Sequence, residues 1–138
     1  MVIRYRYDLD DDFGWLELSL FGGSFSGDAG FWVQWQDLLE FGGELPSSPE
    51  RLGGRVSRQW GYNTLENDDL ILAISIEEVG RLGELNVSVE MADLNAPSNR
   101  LRSSFRATYA GLDLFKRDLA KLMARECEAA ELIGRETT

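Results

Sequence analysis

Apolar and polar residues alternate with period two along most of the chain. In one such run, Leu16, Leu18 and Leu20 alternate with polar neighbours such as Glu17. This alternation is typical of half-buried antiparallel strands, because successive side chains of a strand point to opposite faces. Together with the turn residues between the runs, it predicts strands over residues 3–9, 15–21, 25–33, 55–60, 70–76, 85–91 and 101–109.

Two stretches have helical spacing instead. The first covers residues 35–45 and ends before Pro46, which cannot continue a helix. The second is longer, and Gly134 beyond it is a suitable residue to end it. Its apolar stripe consists of Leu112, Phe115, Leu119, Leu122, Met123 and Cys127. The sequence therefore predicts a short mid-chain helix and a long C-terminal helix, each with one apolar face.

The order of these elements recurs along the chain. Two strands and a helix over residues 15–45 are matched by the same order over residues 85–123, and segments 37–41 and 111–115 echo each other. Two β-β-α half-repeats are one interpretation of this pattern, and coincidence is the other. We expect a single α+β domain over residues 1–138, in which both helices pack on one face of an antiparallel sheet of about six or seven strands.

Charge narrows the function classes that this fold could serve. The 138 residues include 24 acids, 14 bases and no histidine, which gives a formal charge of −10. Without histidine, Ser-His-Asp and Cys-His catalysis and His-containing metal sites are excluded. The acidic surplus makes nucleic acid an unsuitable partner, because phosphate binding needs excess Lys and Arg. Residues 1–50 carry ten acids and two bases, so a charge of −8 belongs to this part of the chain.

The sequence shows no targeting or membrane segment. Residues 1–7 lack a charged region followed by an apolar one, and the longest apolar runs, such as 70–74, are too short to span a bilayer. Cys127 is the only cysteine, so no internal disulfide can form. We expect a cytoplasmic protein that does not bind membranes.

Two segments carry a resemblance to a known family. A glycine-spaced strand leads into the segment WQDLLEF at residues 35–41, and the last predicted helix contains LDLFKRDL at residues 112–119. With the meandering strands, these hydrophobic spacings resemble the small acidic WapI-like immunity proteins of bacteria. The resemblance implies a protein that neutralises a contact-dependent toxin by binding it. No catalytic residues accompany that family, and the matching motifs are spacings rather than chemical signatures.

The densest group of carboxylates is the segment DLDDD at residues 8–12. Its first, third and fifth residues match a calcium-binding loop, but Phe13 and Ser19 stand where that loop requires Gly and Glu. A solvated hairpin turn is therefore the favoured interpretation, since Asp favours turns. The functional alternative is an acidic patch that meets a basic partner.

Other candidate chemistry is weaker. The acids at 77–78 and 66–69 are available for carboxylate-only hydrolysis, but nothing in their spacing requires them to converge. The glycine-rich segment 22–27 lacks the Lys-Ser/Thr of a phosphate loop. Cys127 lies on the apolar helix stripe and is interpreted as a structural thiol. The sequence thus predicts no catalytic residue, no cofactor and no metal site.

The aromatic residues indicate a binding surface. Phe31 and Trp32 face opposite sides of one predicted strand, so one of them is expected to be exposed. Trp60 leads into a segment rich in acids, and aromatic anchors beside a charged rim are typical of protein-binding surfaces. The predicted partner-binding residues are Asp10, Asp11, Asp12, Trp32, Trp60, Tyr62, Glu66, Asp68 and Asp69.

These observations lead to one main expectation and two alternatives. The main expectation is a non-enzymatic, immunity-type inhibitor that covers a basic protein partner, with a cationic toxin domain as the candidate. One alternative is a carboxylate-only hydrolase or a carbohydrate-binding module that uses the tryptophans. The other is a housekeeping assembly subunit whose exposed apolar surface forms a homo-oligomer, and the sequence leaves the oligomeric state open.

Overall fold

The structure of the protein is a computed structural model that describes residues 1–8, 10–22, 24–47, 49–61, 70–80 and 82–134. In chain order its elements are β1 (Val2–Tyr7), β2 (Phe13–Gly22), β3 (Phe25–Gln34), α1 (Trp35–Glu44), β4 (Arg55–Gly61), β5 (Leu70–Val79), β6 (Glu84–Ala92), β7 (Arg100–Thr108), α2 (Tyr109–Met123) and β8 (Ala129–Glu131). The predicted α+β class is confirmed. Neither helix has the length and apolar character that crossing a membrane would require, within the ranges described.

The strands form two antiparallel sheets rather than the single sheet that the sequence predicts. The first sheet has the order β3-β2-β1-β8, and the second has the order β4-β5-β6-β7. Each is a meander of strands adjacent in the chain, except that β8 returns to the first sheet and pairs with β1. The prediction of one sheet is wrong because every strand has an apolar side. Two sheets can turn those sides toward each other, whereas two helices cannot cover so many strands.

One hydrophobic cluster joins both sheets and both helices. Leu16 of the first sheet and Ile74 of the second are fully buried in it, as are Leu38 of α1 and Leu112 of α2. The periodicity of the sequence explains these positions, because each is on the apolar side of a strand or the apolar stripe of a helix. The core therefore leaves the opposite side of each sheet free to carry other side chains.

Aromatic rings connect the helices to the second sheet. Phe41 of α1 is fully buried, and its ring centroid lies 6.4 Å from that of Trp60 in β4. On another side, the Phe41 ring is 6.5 Å from that of Phe115 in α2. Both contacts are edge-on, which suits the charge distribution of aromatic rings. Phe41 thus fixes α1 between β4 and α2.

Each helix follows an edge strand without a linker. β3 ends at Gln34 and α1 begins at Trp35, while β7 ends at Thr108 and α2 begins at Tyr109. The Thr108 hydroxyl accepts a hydrogen bond from the backbone N–H of Gly111 at 3.0 Å. This bond satisfies one of the N–H groups that a helix start leaves free. The predicted order of two strands and a helix therefore occurs at the end of each meander.

The end of α2 differs from the prediction, because the helix stops well before Gly134. The backbone N–H of Arg125 donates to the Leu122 carbonyl at 3.1 Å. The N–H of Glu126 donates to the Lys121 carbonyl at 2.8 Å, which completes a Schellman ending. Arg125 has φ of 62° and is the one non-glycine residue with positive φ in the described ranges. Glycine usually takes this position, because a side chain there costs about 1–2 kcal/mol.

Candidate partner-binding surface

The outer face of the first sheet, turned away from the core, carries large aromatic side chains. We define the aromatic face as Phe13, Trp15 and Phe21 of β2 with Trp32 of β3. Phe13 is 41% exposed, Trp32 49% and Phe21 71%. These side chains point outward because they alternate with buried inward residues, such as the leucines of segment 16–20. The first sheet therefore presents aromatic side chains to solvent, with Phe13, Trp15 and Trp32 toward one end of the β2–β3 hairpin and Phe21 at the other.

Trp15 and Trp32 form the centre of the aromatic face. They are cross-strand partners, and their ring centroids lie 5.1 Å apart at an interplanar angle of 73°. The Trp15 ring also lies directly on the backbone of β3, where a Cβ on Gly30 would be 2.4 Å from the ring. Trp15 is therefore held by a neighbouring ring on one side and by a glycine beneath it.

Replacing Gly30 with Ala tests this packing. The new methyl group would overlap the Trp15 ring, so we expect the free energy of unfolding to fall by about 1–3 kcal/mol. Urea unfolding followed by tryptophan fluorescence measures this loss. The matched control is Gly43→Ala in α1, where an added Cβ meets nothing within 4 Å. That variant is expected to gain about 0.5–1 kcal/mol, and equal effects of the two substitutions would refute the packing.

An acidic turn (Asp10, Asp11 and Asp12) connects β1 to β2 at one end of the aromatic face. The backbone N–H of Asp10 donates to the Asp8 carboxylate at 3.0 Å, and that of Asp12 donates to the Asp11 carboxylate at 2.6 Å. The N–H of Trp35 donates to the Asp12 carbonyl at 3.2 Å. The turn is thus stabilised by its own carboxylates and is attached to the start of α1.

The structure brings four of the predicted partner-binding residues to one end of the first sheet. β2 begins at Phe13, directly after the acidic turn, and Phe13 pairs with Gln34 of β3. Trp32 lies two residues before Gln34 on β3, and its side chain is exposed. Its neighbour Phe31 is 9% exposed and belongs to the core. The acidic turn and the exposed Trp32 ring therefore border the same surface.

Trp60 does not belong to this surface, which corrects the expectation of an exposed ring. Its exposed fraction is 7%, and its ring packs against Phe41. The reason is the orientation of β4, which turns Trp60 toward the core together with Val56. The remaining predicted residues of the site, Tyr62, Glu66, Asp68 and Asp69, lie outside the described residues.

Three members of the aromatic face were not among the predicted site residues: Phe13, Trp15 and Phe21. A sequence signal for them exists. The alternation that predicts the buried leucines of β2 also places these three side chains on the opposite side of the strand. What the alternation does not show is that Trp32 of β3 is the direct neighbour of Trp15, because strand register depends on the hairpin.

The carboxylates at positions 77 and 78 do not converge. Glu77 pairs with Arg55 at 3.6 Å, and Glu78 pairs with Arg51 at 2.7 Å. Consecutive residues of a strand point to opposite faces, so the two side chains diverge. Across the ranges that the structure describes, no group of three or more His, Cys, Asp or Glu side chains could hold a metal ion.

Tyr5 of β1 supports the acidic end of the first sheet from the core side. Its hydroxyl donates to the Val33 carbonyl at 2.7 Å, which joins β1 to β3 across β2. Burial raises the pKa of Tyr5 to about 12, and the negative charges of Asp37 and Asp12 and the neighbouring Tyr7 add to the effect. The hydroxyl is therefore held neutral well above the ordinary range of tyrosine.

This raised pKa predicts a loss of stability in alkali. The folded state favours neutral Tyr5, so its contribution is complete below the ordinary pKa of 10.0 and disappears as the pH rises toward 12. We expect the free energy of unfolding to fall by up to about 1.4 kcal/mol per pH unit in this window. Urea unfolding between these limits measures the slope. Tyr5→Phe should flatten it, and an unchanged slope in Tyr5→Phe would contradict this role.

Relatives do not add to the description of this surface. Comparison of the chain with protein-family models, with curated proteins and with solved structures gave no significant match. The interpretation of this surface therefore rests on its exposed aromatic rings and carboxylates.

Proposed function

We propose that this chain is a protein-binding domain, and that the aromatic face and the acidic turn together bind a basic protein. The observation that carries the proposal is the exposed Trp32 ring, held against Trp15 toward the end of the first sheet at which the acidic turn joins β1 to β2. Tryptophan is enriched among the residues that dominate binding energy, and contiguous exposed aromatic patches mark interaction sites.

The rigidity of the aromatic face supports this function. Trp15 is fixed by Trp32 and by the close approach of Gly30, so a partner meets rings that are already ordered. Binding to ordered side chains loses less conformational entropy than binding to mobile ones. The aromatic face thus offers apolar contact area with little ordering cost.

Charge supports a basic partner rather than a neutral one. The whole aromatic face lies within residues 1–50, which carry a formal charge of −8. A surface of one sign attracts partners of the other sign and accelerates their encounter. Arg4 and Arg6 are on β1, so Trp15 separates them from Trp32. The acidic turn directly precedes Phe13, which pairs with Gln34, two residues from Trp32 along β3.

A specific form of this proposal is an immunity-type inhibitor. Toxins that act on nucleic acid are often cationic, so an acidic aromatic surface suits the role of covering one. Such an inhibitor acts by binding alone and needs no catalytic group. The resemblance of residues 35–41 and 112–119 to WapI-like immunity proteins points to the same role.

Co-expression with the product of the neighbouring gene tests this proposal. We expect a complex that copurifies and that protects the cell, with association slowed by salt. Replacing Asp10, Asp11 and Asp12 together with Asn should lower the association rate about 10-fold at low ionic strength and little at high ionic strength. A proposal of protein binding through this surface should be dropped if no complex forms and no protection is seen.

A further inference from the structure

A cleft of about 440 Å³ lies beside β1, next to the segment that follows α2. β8 pairs with β1 only over Val2–Arg4, so the rest of β1 borders this cleft. The volume is in the range of sites that hold small organic molecules. The cleft is distinct from the acidic turn and from Trp32, although Trp15 borders both places.

Three arginines line the cleft: Arg4, Arg6 and Arg125. Of the ten arginines among the described residues, six pair with carboxylates, whereas these three and Arg106 of β7 form no ion pair with another described residue. Arg4 and Arg6 are two residues apart on β1, so both project from the outer side of the first sheet. In a chain with a formal charge of −10, this concentration of unpaired guanidinium groups is a local reversal of sign.

Arg125 is held at the cleft by an unfavourable backbone conformation. It occupies the left-handed position of the Schellman ending, with φ of 62°, where glycine would be unstrained. Its guanidinium carbon lies 4.2 Å from the centre of the Tyr7 ring, and the Tyr7 hydroxyl donates to the Met123 carbonyl at 2.6 Å. Residues in strained backbone conformations cluster at active sites and ligand sites. Here the strained residue contributes a guanidinium group, which glycine lacks.

An aromatic ring also lines the cleft, because Trp15 is the cross-strand partner of Arg6. Trp15 lines the cleft and is fixed by Gly30 and by Trp32, as described for the aromatic face. A fixed indole ring offers a flat apolar surface on which a planar group can pack. The cleft therefore combines a rigid aromatic surface with guanidinium groups that can each bind an anion through two N–H bonds.

We propose that this cleft binds a small organic anion, in which a phosphate or carboxylate group is attached to a planar apolar body. Arg4 and Arg6 bind the anionic group from the outer side of β1, Arg125 adds its positive charge from the Tyr7 side of that strand, and Trp15 packs against the planar body. Glu17 and Glu128 also line the cleft, so hydroxyl or amine groups of the ligand have acceptors there. The three arginines and these two glutamates together carry a formal charge of +1, which suits an anion of low charge.

Isothermal titration of the full chain with four probes tests the proposal. Naphthyl phosphate and naphthoate represent the two anionic groups, while naphthol and inorganic phosphate each lack one half of the ligand. We expect at least one naphthyl anion to bind with Kd below about 0.1 mM, and naphthol and inorganic phosphate to bind at least about 10-fold more weakly. Equal binding of naphthol, or no binding of either naphthyl anion at about 1 mM, would overturn the proposal.

Variants show whether the arginines of the cleft cause the binding. Arg125→Gly suits the left-handed backbone, so it removes the guanidinium while keeping the fold. This variant and the double variant Arg4→Gln with Arg6→Gln should each weaken anion binding roughly 10- to 100-fold. The control is Arg102→Gln on the second sheet, where the side chain is 80% exposed. Affinities of the cleft variants equal to that of the control would contradict the site.

Discussion

Replacing Trp32 with Ser is expected to weaken binding of the basic partner by roughly 30- to 1,000-fold, which corresponds to about 2–4 kcal/mol. The reason is that Trp32 supplies the largest exposed ring beside the acidic turn and is ordered by Trp15 before the partner arrives. Because the side chain is 49% exposed, its loss should change the free energy of unfolding by only about 1 kcal/mol. Titration calorimetry with the purified partner measures the affinity.

The matched control for Trp32→Ser is Leu114→Ser. Leu114 lies on α2 and is 57% exposed, so this change also removes an exposed apolar side chain from a folded protein. We expect the affinity of Leu114→Ser to stay within about threefold of the wild-type value. If both variants lost affinity equally, exposed apolar area in general would explain binding, and the specific role of the aromatic face would be wrong.

Replacing Phe41 with Ala is expected to lower the free energy of unfolding by about 3–5 kcal/mol. The ring is fully buried and contacts Trp60 of β4 and Phe115 of α2, so its removal leaves a cavity that three elements border. Urea unfolding followed by circular dichroism measures the change. A loss of this size is a large part of the stability of a small domain, so the variant should also melt at a lower temperature.

Phe21→Ala is the control for Phe41→Ala. Phe21 is on the aromatic face and is 71% exposed, so its truncation should change the free energy of unfolding by less than about 0.5 kcal/mol. The same residue type is therefore removed from a buried and an exposed position. A loss below about 1 kcal/mol for Phe41→Ala would contradict the packing of α1 between β4 and α2.

Local patterns predict the elements of this fold well. Alternation alone places Leu16 of β2 and Ile74 of β5 on buried sides, and both are fully buried. Helical spacing identifies α1 and most of α2, although the structure ends α2 at Met123. The end of α2 was not predictable, because Arg125 takes a left-handed position at which glycine is normally expected.

Long-range pairing is the part that local patterns miss. An apolar strand side does not tell whether a helix or another sheet covers it, so the division into two sheets was not predictable. β8 has only three residues, which is too few for a period to be visible. The acidic residues that follow Trp60 in the sequence predict an exposed ring, yet the packing of β4 against Phe41 of α1 buries it.

The candidate site likewise has features that local patterns predict and features that depend on strand pairing. The acidic turn and the exposed side chain of Trp32 follow from local composition and alternation. The acidic turn and Trp32 share one surface with Trp15 because of the register of β2 against β3 and because Gly30 leaves room for the Trp15 ring. Register and close approach are properties of the folded hairpin, so the aromatic face becomes visible only in the structure.

Site-specific photo-crosslinking shows whether the basic partner contacts the aromatic face. Benzoylphenylalanine is introduced separately in place of Trp32 and in place of Leu114, and each full-length variant is irradiated with the product of the neighbouring gene. We expect a cross-link to this basic partner from the position of Trp32 and none from that of Leu114. Cross-linking from the position of Leu114, with none from that of Trp32, would contradict it.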